Sequence, residues 1–383
     1  MGNLQKTIAE AFKLMADGLE SGALAPAPRI ALTGMGSEHG EANAIEAALA
    51  AQARGVHVVY IGSEWVEGLE CVEVTDDEAG HAKMVELLEA GEVDGAVTMH
   101  FPFPIGVSTV GRVTTPARGR EMFVATTTGT TSADLVEGMV LNAVAGVACA
   151  KAAGLKSPSV GILNVNGARQ CEMALRELAD GGYGIAFAES SRADGGCVLR
   201  GNDVLQGTPD VLVCDSLTGN VITKMLSSYT TGGSFEAMGS GYGPGIGRAY
   251  DKLVLIVSRA SGAPVISNAL AYAAELVRNR VFDVVSAEFG AAVEAGLDRV
   301  LGARREVARP AEAAEGVTAP PAEPVPAAIP GIDVMDLEDA VRVLWREGIY
   351  AESGMGCTGP IVLMSEANHD RAVELLRAAG YVA

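Results

Sequence analysis

Between residue 29 and about residue 301, short apolar runs rich in Val, Ile and Leu alternate with longer stretches that mix apolar and polar positions at helical spacing. That is the trace left by βα units: strands of a parallel sheet are covered on both faces and so read as nearly continuous apolar runs. The runs at 30–32, 56–61, 96–98, 123–126, 160–163, 211–214 and 253–257 are expected as strands, each bounded by Gly, Asp or polar residues. Residues 41–54, 77–89, 134–153, 168–179 and 286–301 are expected as helices. The fold class is therefore α/β, with a largely parallel sheet between two layers of helices over residues 1–303.

The pattern stops abruptly after Arg304. Residues 304–330 are dominated by Ala, Glu and Pro, and hold six of the sixteen prolines of the chain, so no core is expected there and the segment reads as a semi-rigid tether. Beyond it, residues 331–383 have the pattern of a small αββα module. Asp336 is placed to cap a helix whose apolar face is Ala340, Val341, Leu344 and Trp345, and Gly348 to end it. Strands at 349–353 and 361–365 flank a glycine-rich turn, and Asn368 is placed to cap a last helix closed by Gly380.

Composition narrows the function classes. A net charge of −20 gives a surface that repels nucleic acid and anionic lipid, so neither is an expected partner. No secretory leader or membrane span is read from the apolar runs, which are broken by Gly, charge or polar residues. The six cysteines have no Cys-x-x-Cys pair, and the five histidines no helical ligand spacing. A cytoplasmic location is expected, with no disulfide framework and no metal.

One cysteine differs from the rest. Cys357 lies in Gly354-Met355-Gly356-Cys357-Thr358-Gly359-Pro360, where Gly356 and Gly359 let backbone N–H groups converge on a sulfur and favour its thiolate. The other five sit in or beside apolar or helical segments, where cysteine behaves as a small hydrophobe. A second candidate starts at the end of the run 211–214. Asp215, Thr218, Gly219 and Asn220 open a helix, with Lys224 adding positive charge one turn in, as a phosphate site would require. An ordinary capped βα turn has the same spacing.

Three weaker signals accompany these. The glycines between Gly232 and Gly247 permit close approach to an anion, and Ser258-Arg259 supplies a guanidinium that can clamp phosphate in bidentate fashion. The run from Thr126 to Ser132 offers hydroxyl donors or a solvated loop. His100 to Pro104 reads as core wall and turn, or as the apolar border of a cleft. No Walker glycine pattern occurs, and the one Gly-x-Gly-x-x-Gly, residues 354–359, is the cysteine turn between two expected strands rather than a strand-to-helix turn, so nucleotide hydrolysis and dinucleotide cofactors have no motif support.

Residues 29–301 resemble the phosphate acyltransferases of phospholipid synthesis and, more distantly, the phosphate acetyltransferases. The resemblance rests on residues 31–36, on Asp215 to Asn220 with Lys224, and on Gly243-Pro244 and Ser258-Arg259. The module with Gly-Met-Gly-Cys-Thr-Gly-Pro is absent from both groups and is similar to that of the component C alpha subunits of glycine reductase. That resemblance spans nearly the whole chain. It implies an acetyl group carried as a thioester on Cys357, and inorganic phosphate as a substrate bound by Asn220, Lys224, Ser258 and Arg259, with no further cofactor. It also implies a hetero-oligomer with the beta subunit of component C and a small selenoprotein. The His100–Pro104 segment stands where the phospholipid enzymes carry a Gly-Asn-Thr-Gly turn, which argues against a long-chain acyl substrate. Two other functions fit the same residues: acyl transfer from coenzyme A or acyl carrier protein without the cysteine, and a non-catalytic scaffold subunit.

Overall fold

The structure, a computed structural model, describes Phe12 and residues 27–193, 195–308, 317–330, 332, 337–356 and 359–382; the side chains of 303–308 and 355–360 are outside it. The chain divides into two compact units, Met1–Gly302 and Ala303–Ala383.

The strands of the first unit are β1 (Arg29–Thr33), β2 (His57–Gly62), β3 (Glu70–Glu73), β4 (Gly95–Thr98), β5 (Val107–Thr114), β6 (Glu121–Thr130), β7 (Ser159–Leu163), β8 (Ala186–Phe187), β9 (Val198–Leu199), β10 (Val211–Val213), β11 (Gly243–Ile246) and β12 (Val254–Ile256). Its helices are α1 (Glu41–Gln52), α2 (Asp77–Glu89), α3 (Leu135–Ala152), α4 (Ala168–Asp180), α5 (Gly201–Gln206), α6 (Ser216–Ser228), α7 (Ala263–Arg278), α8 (Val281–Glu294) and α9 (Leu297–Ala308).

The twelve strands form one sheet in the order β3-β2-β1-β4-β12-β11-β5-β6-β10-β7-β8, with β9 also on β7. Two parallel wings, β3 to β12 and β6 to β8, meet at β11 and β5, which run antiparallel to their neighbours. Both faces are buried. Ile30, Leu32, Val58 and Tyr60 pack under one helical layer with Ala44, Ala48, Ile266 and Leu270, while Ala31, Val59 and Ile61 pack on the other side with Met84 and Leu87. The second wing repeats the device: Phe123, Ala125 and Val211 face α3, and Met122, Val124 and Leu212 face Leu226 of α6. That two-sided burial is why the strands read as apolar runs rather than as alternating ones.

Three expectations need correction. Residues 286–301 do not make one helix: α8 ends at Glu294 and α9 starts at Leu297, because Gly296 adopts φ +102°, a left-handed conformation that stops the helix. The antiparallel pair β5 and β11 was not among the expected strands. The glycines there are spent on sheet packing: a Cβ on Gly243, at φ +82°, would run into the carbonyl oxygen of Val110, and one on Gly241 would lie 2.9 Å from that of Ile256. They bring backbone against backbone rather than against an anion.

The second unit corrects the third. Strand β13 (Ala327–Pro330), inside the expected tether, pairs with β15 (Gly359–Met364), which also pairs with β14 (Ala351–Gly356). Ile329 is buried with Val341, Leu344 and Val362, so the order is β13, α10 (Leu337–Arg346), β14, β15 and α11 (His369–Ala378). Pro330 is tolerated because β13 is an edge strand, where a missing N–H costs no ladder bond. Asn368 stands at the N-cap of α11 as expected, but its side chain makes no capping bond. Its amide donates to Glu323 Oε1 at 3.0 Å, and Ser365 Oγ donates to the same oxygen at 2.8 Å, which ties the proline-rich segment to the module. Asp336 lies outside the described residues.

Among the described residues, one helix is long and apolar enough to cross a membrane, α3, and 83% of that stretch is buried inside the fold.

Candidate active site

Asp215 caps α6 as its place in the sequence suggests: Oδ1 accepts from the Thr218 N–H at 2.9 Å and Oδ2 from the Thr218 hydroxyl at 2.5 Å. Both groups are thereby committed to the turn. Gly219 is a contact residue, since a Cβ there would collide with the Thr126 carbonyl oxygen of β6. This close approach lets Asn220 Nδ2 donate to the Thr127 carbonyl at 3.1 Å. Asn220 therefore spends that donor on the sheet.

Lys224 lies eight residues after the start of α6, about 12 Å along it and more than two turns in, rather than one. The expected phosphate site is thus split. The N-terminus of α6 lines one pocket, of about 90 Å³, with residues of the 126–132 run and the start of α3. Lys224 belongs to another place, where its Nζ is 3.4 Å from Ser258 Oγ, just beyond the carboxyl end of β12. Of the four expected phosphate ligands, Lys224 and Ser258 are brought together. Arg259 follows directly, but its Nη2 points to Asp77, 3.8 Å from Oδ2.

Two residues not expected in the site surround Lys224. Glu236 is buried, with Oε2 accepting from Ser261 Oγ at 2.9 Å and Oε1 lying 3.6 Å from Lys224 Nζ. The ring of Tyr242 is 5.7 Å from the same ammonium. Burial pulls the Lys224 pKa down, but hydrogen bonding and charge from Tyr242 and Glu236 outweigh it and leave it raised. Burial also raises the Tyr242 pKa, so its hydroxyl keeps its proton at neutral pH. A half-exposed cation held against a buried carboxylate has the makings of an anion site: the charge is fixed, oriented and still open to a ligand.

The threonine run is less available than its composition suggests. Strand β6 continues to Thr130, and the hydroxyl of Thr126 donates to the Thr109 carbonyl at 2.8 Å and that of Thr127 to the Tyr242 carbonyl at 2.7 Å. Both brace the β5–β6–β11 junction. The His100–Pro104 segment divides by residue. Phe101 and Phe103 stack edge to face at 5.1 Å, Phe103 also meets Tyr250, and His100 is exposed with its ring 6.3 Å from that of His81.

Glu236 and Tyr242 stand twelve and eighteen positions after Lys224 in an irregular segment, and no periodicity singles them out. The only signal was chemical, a carboxylate and a phenol among glycines next to a lysine helix.

Cys357 and Thr358 lie outside the described residues. On either side of them, Gly356 of β14 is in register with Gly359 of β15. Of the other cysteines, Cys149, Cys171, Cys197 and Cys214 are buried and Cys71 is partly so, all as free thiols. Burial pushes the Cys149 thiol up to about 12 and Cys197 up to about 11, which suits packing and not nucleophilic attack. Among the described residues no group of three or more His, Cys, Asp or Glu is arranged to hold a metal ion.

A family model described as fatty acid synthesis protein matches residues 28–363. The chain is 53% identical to the glycine/sarcosine/betaine reductase complex component C subunit alpha of Peptoclostridium acidaminophilum, with the whole of both chains covered. It is 41% identical over 76 residues to a phosphate acyltransferase of Prochlorococcus marinus (strain MIT 9313), a match to 18% of this chain and 15% of that one. A solved branched-chain phosphotransacylase from Enterococcus faecalis V583 covers 65% of this chain and 99% of its own, at 15% identity and a TM-score of 0.48.

Proposed function

The chain belongs to the family of component C alpha subunits of glycine/sarcosine/betaine reductase, within the fatty acid synthesis protein family, and on that premise we propose that it releases an acetyl thioester to phosphate. In this reading Cys357 receives the acetyl group that originates as the carboxymethyl group on a small selenoprotein. The beta subunit of component C completes the complex, in the cytoplasm. Phosphate then attacks the thioester carbonyl carbon, the C–O bond forms, the C–S bond breaks, and acetyl phosphate leaves.

The observation that carries the reading is the juxtaposition of Lys224 and Ser258. An ammonium 3.4 Å from a hydroxyl, backed by the buried carboxylate of Glu236, is a preorganised donor pair for a phosphate oxygen or for the oxyanion that develops on the acyl carbonyl. The glycines around Cys357 favour a thiolate, the form needed to take up an acyl group.

The test is arsenate-dependent loss of acetyl phosphate, compared among wild type, Cys357→Ala and Lys224→Met. The reading expects both variants to lose the reaction. Full activity in Cys357→Ala would favour instead an acyltransferase that draws on coenzyme A or acyl carrier protein, a reading supported by the partial match to phosphate acyltransferase.

A further inference from the structure

The carboxyl ends of β7 and β9 carry a second concentration of positive charge, apart from Lys224 and Ser258. The two strands are parallel neighbours, with Leu163 in register with Leu199, so the residues that follow them, Asn164 and Arg200, emerge on the same edge of the sheet. With Arg169 from the first turn of α4, and Arg192, Gly195 and Gly196 from the segment between β8 and β9, they line a cavity of about 180 Å³. Its described lining includes neither Lys224 nor Ser258. Carboxyl ends of parallel strands are where open α/β sheets take their ligands.

The chemistry of the walls selects an anion. Three guanidiniums meet there, and no carboxylate is among the described residues that line the cavity, in a chain where 48 acidic side chains outnumber 28 basic ones. Two carboxylates stand close by without lining it: Glu172, which Arg169 and Arg176 hold at 2.8 and 2.9 Å, and Glu189, which lies against Gly195. The guanidinium of Arg200 is exposed and forms no ion pair among the described residues. Helix α4 adds donors. Its N-cap is Gly167, in the left-handed region at φ +78°, so the N–H groups of its first turn lack the side-chain acceptor that Asp215 gives α6, and no acidic residue stands in that turn.

Size narrows the ligand further. At about 180 Å³ the cavity is below the roughly 300–1,000 Å³ of sites that enclose a whole organic ligand. A tetrahedral oxyanion fits, and the arginine fork matches its paired oxygens.

We propose that this cavity binds the phosphate group of a small molecule, at a site separate from the Lys224–Ser258 pair. Arg169, Arg192 and Arg200 supply the charge, Asn164 and the first turn of α4 supply neutral donors, and any substituent on the phosphate stays outside. No bond is made or broken there, and the site does not depend on the phosphorolysis reading.

Equilibrium dialysis of the full chain against radiolabelled inorganic phosphate counts the sites in wild type, Lys224→Met, Arg200→Gln and the double variant Arg192→Gln/Arg200→Gln. Wild type is expected to bind two phosphates per chain. Arg200→Gln is expected to weaken one of them about 10-fold, the double variant to weaken it further, and Lys224→Met to leave that one intact. Arg200→Lys, which keeps the charge without the fork, is expected to fall between wild type and Arg200→Gln. Methyl phosphate distinguishes the sources of the group: tighter binding than inorganic phosphate marks an organic phosphate, weaker binding the free ion. One phosphate per chain, kept in Lys224→Met and lost in the double variant, would support this site and sink the assignment of phosphate to Lys224. Equal stoichiometry and affinity in wild type and all the arginine variants overturns the proposal. So does a hexaglutamate peptide that binds through these arginines and that phosphate does not displace, because the cavity would then dock acidic chain.

Discussion

Lys224 of α6 and Ser258 beyond β12 come from opposite wings of the sheet, yet their terminal atoms lie 3.4 Å apart. The helix reaches across because Gly219 seats it directly on β6 and because β11 and β5 turn one wing against the other. Everything inferred about chemistry in this unit depends on that meeting.

Replacing Lys224 with Met keeps much of the aliphatic stem and removes the charge. kcat/KM for phosphate or arsenate is expected to fall roughly 100-fold, the size of loss typical of one transition-state donor. The loss of the ammonium leaves the buried Glu236 carboxylate without its cation, so the unfolding midpoint in urea should fall as well. Steady-state kinetics with varied arsenate, together with urea melts, check both parts.

The ion pair with Glu236 also sets a pH dependence. Because the folded-state pKa of Lys224 is raised, its stabilising contribution is fully present below the ordinary lysine value of about 10.4 and is lost as pH rises through the raised value. The stability difference between wild type and Lys224→Met should therefore be flat across neutral pH and shrink above about pH 10.4. Glu236→Gln should bring that decline to lower pH. Urea midpoints measured from pH 7 to pH 11 decide it, with no decline in wild type as the contrary result.

Gly219→Ala is expected to destabilise the first unit by about 1–3 kcal/mol, since the new methyl meets backbone that cannot move aside. The same shift would carry Asn220 away from the Thr127 carbonyl. Chemical denaturation measures the first effect. An unchanged midpoint would mean that α6 does not sit on β6 as described.

Much of this architecture was legible in the chain. The runs that became β1, β2, β4, β7, β10 and β12 stood out because two-sided burial removes polar positions, and α2 was legible to its ends. Strands β5 and β11 were not, because their glycines and threonines serve backbone contacts that only the fold reveals. In the site, Asp215 as helix cap could be anticipated from a strand end, whereas Lys224 and Ser258 stood in separate signals that only the family resemblance joined. Glu236 and Asp77 could not, because each is brought in by a long-range packing contact that leaves no local spacing to read.

The small unit offers its own test. Ile329 is buried in a strand that the proline content disguised, and Ile329→Ala should cost the module about 2–5 kcal/mol. Trp345, whose Nε1 donates to the Ala351 carbonyl at 2.9 Å, reports on this module in a Trp65→Phe background. Its fluorescence should show unfolding at clearly lower urea in the Ile329 variant. An unshifted transition would place residues 327–330 outside the module's core.

The central claim is that Cys357 carries an acetyl group which phosphate removes. Intact-mass analysis after incubation with acetyl phosphate tests it most directly, on wild type and on Cys357→Ala. One acetyl adduct is expected on wild type, lost when phosphate or arsenate is added in excess, and none on the variant. An adduct of equal occupancy on Cys357→Ala, or one that phosphate leaves untouched, would contradict it.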